Sequence, residues 1–414
     1  MKAIIIGGGI IGLSSAWFLQ ESGWEVTVID RGDFTDNCSY GNAGYVCPSH
    51  FVPMAAPGIV QQGLKWMLDS TSPFYVKPRL DLNLVSWGLK FMKSATAAHV
   101  ERSAVPLRDI ALLSKQLYEA WAAKPDFSFA YESKGLLEMF QTPENEEHAR
   151  HTVEKAKSLG LDAALLSATE VNALEPQTTL NIRGAIHFKC DAHLYPGKLM
   201  QQLIAQLTAH GVQLLRQEEV VDFEKAGDVI KKVMTKNSSY AADLVVLAAG
   251  SWSRGVAAKL DAKIPMVGGR GYSFTLENAP YHLNYPAILS EGRVAISPMD
   301  GNKIRFGGTM EITSLDAPPD LKRVKGIIAS VKRFLPDFEL PFPGAEKIWY
   351  GYRPCSADGL PYIGRLSKTN NCIVATGHSM LGLSLGPGTG KLVSEIANGE
   401  KASMDLAAFA PERF

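Results

Sequence analysis

Several things are missing from this chain of 414 residues, and each absence narrows its function. There is no net charge, since 42 basic side chains face 42 acidic ones, and no basic block stands out, so nucleic acid is excluded as a partner. Cysteine is scarce: Cys38, Cys47, Cys190, Cys355 and Cys372 are odd in number, scattered, and form no CxxC pair. That argues against a disulfide framework and a zinc site, leaves no metal ligand set, and favours a reducing compartment, the cytoplasm. No uninterrupted apolar run is long enough to span a bilayer, which leaves a soluble chain or one in peripheral contact with the inner face of a membrane. Internal repeats and low-complexity stretches are also absent, and a chain of this length divides naturally into two domains.

What is present begins at once. The apolar run Lys2-Ala3-Ile4-Ile5-Ile6 leads into Gly7-Gly8-Gly9-Ile10-Ile11-Gly12, and a second apolar run, Val26-Thr27-Val28-Ile29, ends on Asp30. Strand, glycines, helix (Leu13–Ser22), strand and terminal acid in that order make a dinucleotide-binding βαβ unit. The opening run is therefore read as a core strand and not as a cleaved leader. Gly7 supplies the tight turn, Gly9 lets a pyrophosphate approach the backbone where Ile10 and Ile11 open the helix, and Gly12 lets the helix lie close to the sheet. Asp30, followed by Arg31, stands where a ribose would be held.

NAD and FAD share this opening, and three further segments favour FAD. Ser39-Tyr40-Gly41-Asn42-Ala43-Gly44 is a small-residue loop able to run beside the pyrophosphate and flavin. Leu244–Ala248 is a buried strand running into Ala249-Gly250-Ser251-Trp252. Gly377-His378-Ser379-Met380-Leu381-Gly382-Leu383, continued by glycines to Gly390, leads into a helix at Lys391–Asn398. A cofactor touched by both ends of a long chain is enclosed by the fold, and backbone N–H groups of the third segment could face the anionic edge of a reduced flavin.

Between these pieces lie segments of another character. Residues 51 to about 150 are helical and aromatic, and residues from about 264 to 349 alternate as strands. The expected fold class is α/β: a Rossmann-like FAD-binding domain with a glutathione-reductase-like parallel sheet, and a second α+β substrate domain on a mixed, largely antiparallel sheet. The expected FAD domain is discontinuous, about 1–50, 155–262 and 347–414, with Val220 and Val221 beside the nucleotide; the substrate domain takes about 51–154 and 263–346. Segment Leu84–Met92 is either an amphipathic patch lying on a membrane or a helix packed on its own domain.

Taken with Asn42-Ala43-Gly44, Ala55-Ala56-Pro57-Gly58, Lys65-Trp66, Gly271-Tyr272-Ser273, Gly351-Tyr352-Arg353-Pro354, Asp358-Gly359-Leu360-Pro361 and Thr376-Gly377-His378, the chain resembles the D-amino-acid oxidase superfamily of FAD-dependent oxidoreductases along its full length. Within it, the bacterial D-amino-acid dehydrogenase group is most similar, with glycine, sarcosine and glyphosate oxidoreductases as relatives. The resemblance implies an enzyme of amino-acid catabolism. It binds an amino or imino acid over the flavin, passes hydride from Cα to N5, and leaves an imine that is hydrolysed or, for D-proline and hydroxy-D-proline, kept as a ring. It further implies Arg353 as the carboxylate clamp, Tyr272 and Tyr352 as residues closing the pocket, and His378 as a positioning residue beside the flavin. Each tyrosine could equally be a core residue, and Arg353 could be a structural partner of Asp358. Two departures matter. Glycine oxidases carry an arginine after the loop histidine, where this chain has Ser379, Met380 and Leu381; and the cysteine that tethers flavin in monomeric sarcosine oxidases falls here on Gly351, so the flavin is expected to be non-covalent. Oxidation of N-substituted glycines or of 2-hydroxy acids stays as the alternative, and the electron acceptor, oxygen or a quinone or other carrier, stays open.

Overall fold

The computed structural model describes residues 1–66 and 72–414. The apolar runs at Lys2–Ile6, Glu25–Ile29 and Leu244–Leu247 form the centre of a parallel sheet in the order Thr369–Thr376, Leu244–Leu247, Lys2–Ile6, Glu25–Ile29 and Gln213–Leu215, with Tyr362–Leu366 antiparallel at one edge. Strands buried on both faces cannot alternate with polar residues, which is why the central runs, Ala3–Ile6, Val26–Ile29 and Leu244–Leu247, are almost wholly apolar. Helix Ile10–Glu21 is buried almost all round, because helix Gly386–Asn398 covers the side that the sheet leaves free. Gly386, Gly388 and Gly390, expected to precede a helix at Lys391–Asn398, are in fact in its first turns. A Cβ at Gly390 would come within 2.5 Å of the Ser14 backbone, and one at Gly386 within 2.6 Å of Ile10, so here glycine serves close helix packing rather than a flexible turn.

The second sheet runs in the order Trp349–Ser356, Met266–Leu276, Lys303–Ile312, Val294–Met299, Ala287–Leu289, Leu136–Phe140, Gly184–Phe188, Ala163–Ser167, with Phe74–Val76 added in parallel beside Lys303–Ile312. It is mixed and mostly antiparallel. Strands Ala163–Ser167, Gly184–Phe188 and Trp349–Ser356 thus hydrogen-bond into this sheet, although the sequence reading grouped them with the nucleotide-binding part. Their pairing partners, distant in sequence, decide the matter. Helix Arg323–Phe334 packs its apolar face on this sheet, burying Val324, Ile327 and Val331. Val220 and Val221 begin a small three-stranded antiparallel sheet, Val220–Ala226, Val229–Thr235 and Ser239–Ala241.

Candidate active site

One cavity of about 1710 Å³ runs from the glycine turn, between the two sheets, to strand Trp349–Ser356. Single-ligand pockets commonly measure about 300–1,000 Å³, so this one has room for a dinucleotide and a substrate together. At its nucleotide end Gly7 takes a left-handed φ of 114°, and a Cβ there would strike the Ala248 carbonyl. Beside Gly9, by contrast, a Cβ would meet only Ser39 Oγ, at 3.6 Å, so the open space at the helix N-terminus belongs to the cavity. Gly9 has no side chain to cap that helix; Ser39 Oγ accepts from the Ile10 amide at 3.0 Å, and the helix N-terminus faces the cavity where an anion would be favoured. Asp30 Oδ2 accepts from the Gly8 amide at 2.6 Å and Oδ1 from Gly32 at 2.7 Å, so the acid holds the turn and also borders the cavity. Arg31 lies over the Trp252 ring at 3.9 Å. These residues fit a dinucleotide without rearrangement of the fold.

The loop of residues 39–44 crosses from one sheet to the other and is pinned from the mixed sheet. Arg305 Nη1 donates to the Tyr40 and Asn42 carbonyls, each at 2.7 Å, Ser273 Oγ to Gly41 at 2.9 Å, and Ser297 Oγ to Ala43 at 2.6 Å. Ser39, Asn42 and Ala43 line the cavity; Gly44 does not, and its φ of 84° serves a turn against Leu194. Val220, Ala249, Gly250, Trp252, Leu381, Gly382 and Leu383 also line it, whereas Gly12, Val221 and Gly377 lie behind the lining.

His378 is turned away. Its ring is 2% exposed, lies within hydrogen-bond distance of Thr389 Oγ1 through Nε2 (2.9 Å), and does not border the cavity. Burial holds the imidazole down to about 3, so it stays neutral. What the loop offers the cavity is the turn Ser379–Leu381, in which Ser379 is left-handed (φ 51°).

Arg353 borders the cavity from strand Trp349–Ser356. Opposite it stand Gly269 and, two residues along, Gly271, where a Cβ would lie 2.2–2.4 Å from the guanidinium, so the missing side chain is the space that the Arg353 group fills. Nη1 donates to the Thr309 carbonyl at 2.5 Å, and Met310 Sδ lies 3.9 Å away. Among the described residues Arg353 has no carboxylate partner. Asp358, its expected structural partner, is held by Arg413 in a two-point pair at 2.7 and 2.8 Å. Burial pushes the Arg353 pKa below the usual arginine range, as expected of a desolvated cation awaiting an anion.

Tyr272 borders the cavity, whereas Tyr352, which alternates with Gly351 and Arg353, does not, and the hydroxyls of both join one buried network. Arg270 pairs with Glu311 at 2.8 and 3.0 Å, both nearly without exposure. Tyr272 donates to Glu311 at 2.9 Å and accepts from the Asp320 amide, and Tyr352 accepts from Arg270 at 3.3 Å. Both hydroxyls are thus engaged in holding the sheet that carries Arg353.

Sequence reasoning missed Cys38, His50, Met54, Thr309, Met310 and Trp349, all of which border the cavity. Gly307-Gly308 inside a strand was a readable sign of a bulge at Thr309. Among the described residues one trio could approach a metal ion, Cys47, His50 and Asp191. Asp191 is already bonded to the Ser49 amide (3.0 Å) and hydroxyl (2.5 Å), however, and the Cys47 thiol is pushed well up by burial.

Residues 2–396 match the model of a protein family described as FAD dependent oxidoreductase (DAO). Similar curated proteins include a D-amino acid dehydrogenase of Neisseria meningitidis, 31% identical over 418 residues that cover 97% of this chain and 96% of the relative. Another is that of Helicobacter pylori, 31% identical over 399 residues, 96% of this chain and 94% of the relative. Among solved structures, glycine oxidase from Geobacillus kaustophilus superposes with a TM-score of 0.79 at 22% identity, over 100% of this chain and 98% of that one. L-proline dehydrogenase from P. horikoshii superposes with 0.76 at 19%, over 100% and 97%. At such identities the structures establish a shared fold.

Proposed function

The chain belongs to the DAO family of FAD-dependent oxidoreductases, and we propose that it oxidises D-amino or D-imino acids as a dehydrogenase with non-covalent FAD. The observation that carries this reading is Arg353: a half-buried arginine with no carboxylate partner among the described residues, bordering the same cavity as the glycine turn. An α-carboxylate matches its fork and relieves its desolvation. FAD bound along the groove supplies the electron sink for the hydride that leaves the substrate Cα. The protein's part is orientation: Arg353 fixes the carboxylate, the rigid sheet fixes Arg353, and the side chain and amine then cannot exchange places without a clash. That makes the reaction selective for one hand, and the full-length D-amino acid dehydrogenase relatives favour D. Met54, Met310 and Trp349 give the cavity an apolar wall suited to a compact substrate such as D-proline.

Non-covalent binding is supported by the thiols. Cys38 borders the cavity, but its Sγ donates to the Tyr352 carbonyl (3.3 Å) and burial raises its pKa, which keeps it protonated and a poor nucleophile; Cys355 is fully buried. For the acceptor we propose a quinone reached from a membrane surface. No helix of the described residues is long and apolar enough to cross a membrane. Helix Leu82–Ser94 nevertheless exposes Leu82, Val85, Leu89 and Met92 on one stripe, with Lys90 and Lys93 on the same helix, while Trp87 on its other side donates to the Cys355 carbonyl at 3.0 Å. Trp87, Phe91 and Met92 also line the cavity. The test is anaerobic bleaching of the flavin by a panel of D- and L-amino acids, D-proline, sarcosine and 2-hydroxy acids, with reoxidation by oxygen, dye and quinone compared. Fast reduction by D forms and faster reoxidation by quinone than by oxygen are expected; equal reduction by L-proline or L-alanine would refute the assigned hand, and colour retained by acid-precipitated protein would refute non-covalent binding.

A further inference from the structure

We infer that the Thr309 hydroxyl is a second anchor for the substrate carboxylate, acting beside Arg353. Strands Met266–Leu276 and Lys303–Ile312 pair Arg270 with Glu311 and Tyr272 with Gly308, so two residues, Thr309 and Met310, stand opposite one. That bulge puts Thr309 at φ 61°, a left-handed conformation costly for a β-branched residue. The strain holds two groups in place. The Thr309 carbonyl accepts from Arg353 Nη1 and so sets the orientation of the guanidinium. Thr309 is 7% exposed and its hydroxyl finds no hydrogen-bond partner among the described residues, yet the residue borders the cavity.

A buried hydroxyl without a partner is costly, and so is a left-handed β-branched residue; their coincidence at a residue that borders the cavity points to a ligand. The ligand's chemistry follows from the neighbour. A carboxylate has two oxygens and about four acceptor sites, and the fork of one guanidinium edge engages only two of them. One of the sites left over accepts from the Thr309 hydroxyl. The inference rests on the carboxylate-oxidising reading above and extends it with a residue set by the bulge, so a single backbone irregularity orients one anchor and supplies the other.

The experiment uses the FAD-loaded protein with propionate, a carboxylate without an amine, and propylamine, an amine without a carboxylate, both followed by the flavin absorbance shift. Thr309→Val, which keeps the shape and the strain, should weaken propionate binding about 10- to 150-fold, as for a hydrogen bond lost to a charged group, and raise KM of the amino-acid substrate more than it lowers kcat. It should leave propylamine unaffected, and Thr309→Ser should restore propionate binding to within about threefold. If Thr309→Val folds poorly, Thr309→Gly removes the hydroxyl while relieving the strain, and should show the same loss in a protein at least as stable as the parent. Unchanged propionate affinity in the Val or Gly variant overturns the inference. If no amino or imino acid bleaches the parent flavin while propionate binding still depends on Thr309, the activity reading falls and the carboxylate site stands.

Discussion

Arg353→Met separates a binding arginine from a structural one by opposite effects on stability and on catalysis. Methionine keeps an unbranched apolar stem over Gly271 and removes the charge. In the native fold that charge is half-buried with no carboxylate among the described residues, and a hydrogen bond to the Thr309 carbonyl holds it. Losing the bond costs about 1.5–3 kcal/mol, and removing a desolvated, unpaired cation returns a similar amount. Thermal unfolding of the variant should therefore stay within about 1 kcal/mol of the parent, where breaking a buried ion pair would cost about 3–5 kcal/mol. Catalysis should fall steeply: a charge-assisted fork lost from a dry site is worth about 2–4 kcal/mol, or roughly 30- to 1,000-fold in kcat/KM. Arg353→Lys should fall between, since a point charge attracts the carboxylate without orienting it. Stopped-flow reduction by D-alanine and D-proline, with denaturation of the same preparations, reads both effects. Asp358→Asn is the complement, because it breaks the two-point pair with Arg413 and should lower stability while KM stays put. A destabilised Arg353→Met protein whose folded fraction turns over normally would refute the reasoning and return Arg353 to the scaffold.

What was legible in the sequence was local. Gly7, Gly9, Gly12 and Asp30 lie within one βαβ unit, and its order puts Gly7 at the left-handed turn, Gly9 before the helix and Asp30 after the second strand. The parity of the strands was legible too: neighbours in a strand face opposite ways, so a cavity-facing Arg353 already turned Tyr352 behind the sheet. Non-local facts were hidden. Nothing near Arg353 in sequence says that Gly271, some eighty residues earlier, clears the space for its guanidinium, or that Arg413 at the far end of the chain occupies Asp358. Glycine itself misled at the C-terminal segment. The composition that signals a turn also signals close helix packing, and only the approach of Ser14 and Ile10 distinguishes the two. The strands at Ala163–Ser167 and Gly184–Phe188 carry no mark of which sheet they join, because sheet membership is decided by partners.

Three further outcomes follow from the geometry. The His378 pKa in the fold, about 3, lies below the ordinary histidine value of 6.5, so the unfolded chain takes up the proton first and stability falls as pH drops from about 6.5 toward 3. His378→Asn should flatten that fall in denaturation midpoints, and the pH profile of kcat/KM above pH 5 should be the same in both proteins; a limb lost from that profile would make His378 an acid or base. Glutamates at Leu82, Val85 and Leu89 should abolish co-sedimentation with anionic vesicles while leaving flavin reduction by substrate unchanged, and retained binding would exclude this stripe as the membrane contact. Gly271→Ala tests the seat of Arg353 directly. Its Cβ would lie 2.2 Å from Nη2 and 2.3 Å from Cζ, so the guanidinium must move by about an ångström. Gly271 lies outside the positive-φ set, so alanine is tolerated by the backbone, and the displaced group is the free end of a flexible side chain. The fold should lose less than about 1 kcal/mol. The substrate, aligned through that guanidinium, should lose on the order of 100-fold in reduction rate. A variant as active as the parent would mean that the position of Arg353 over Gly271 does not matter to the chemistry, and the carboxylate must then be held elsewhere in the cavity.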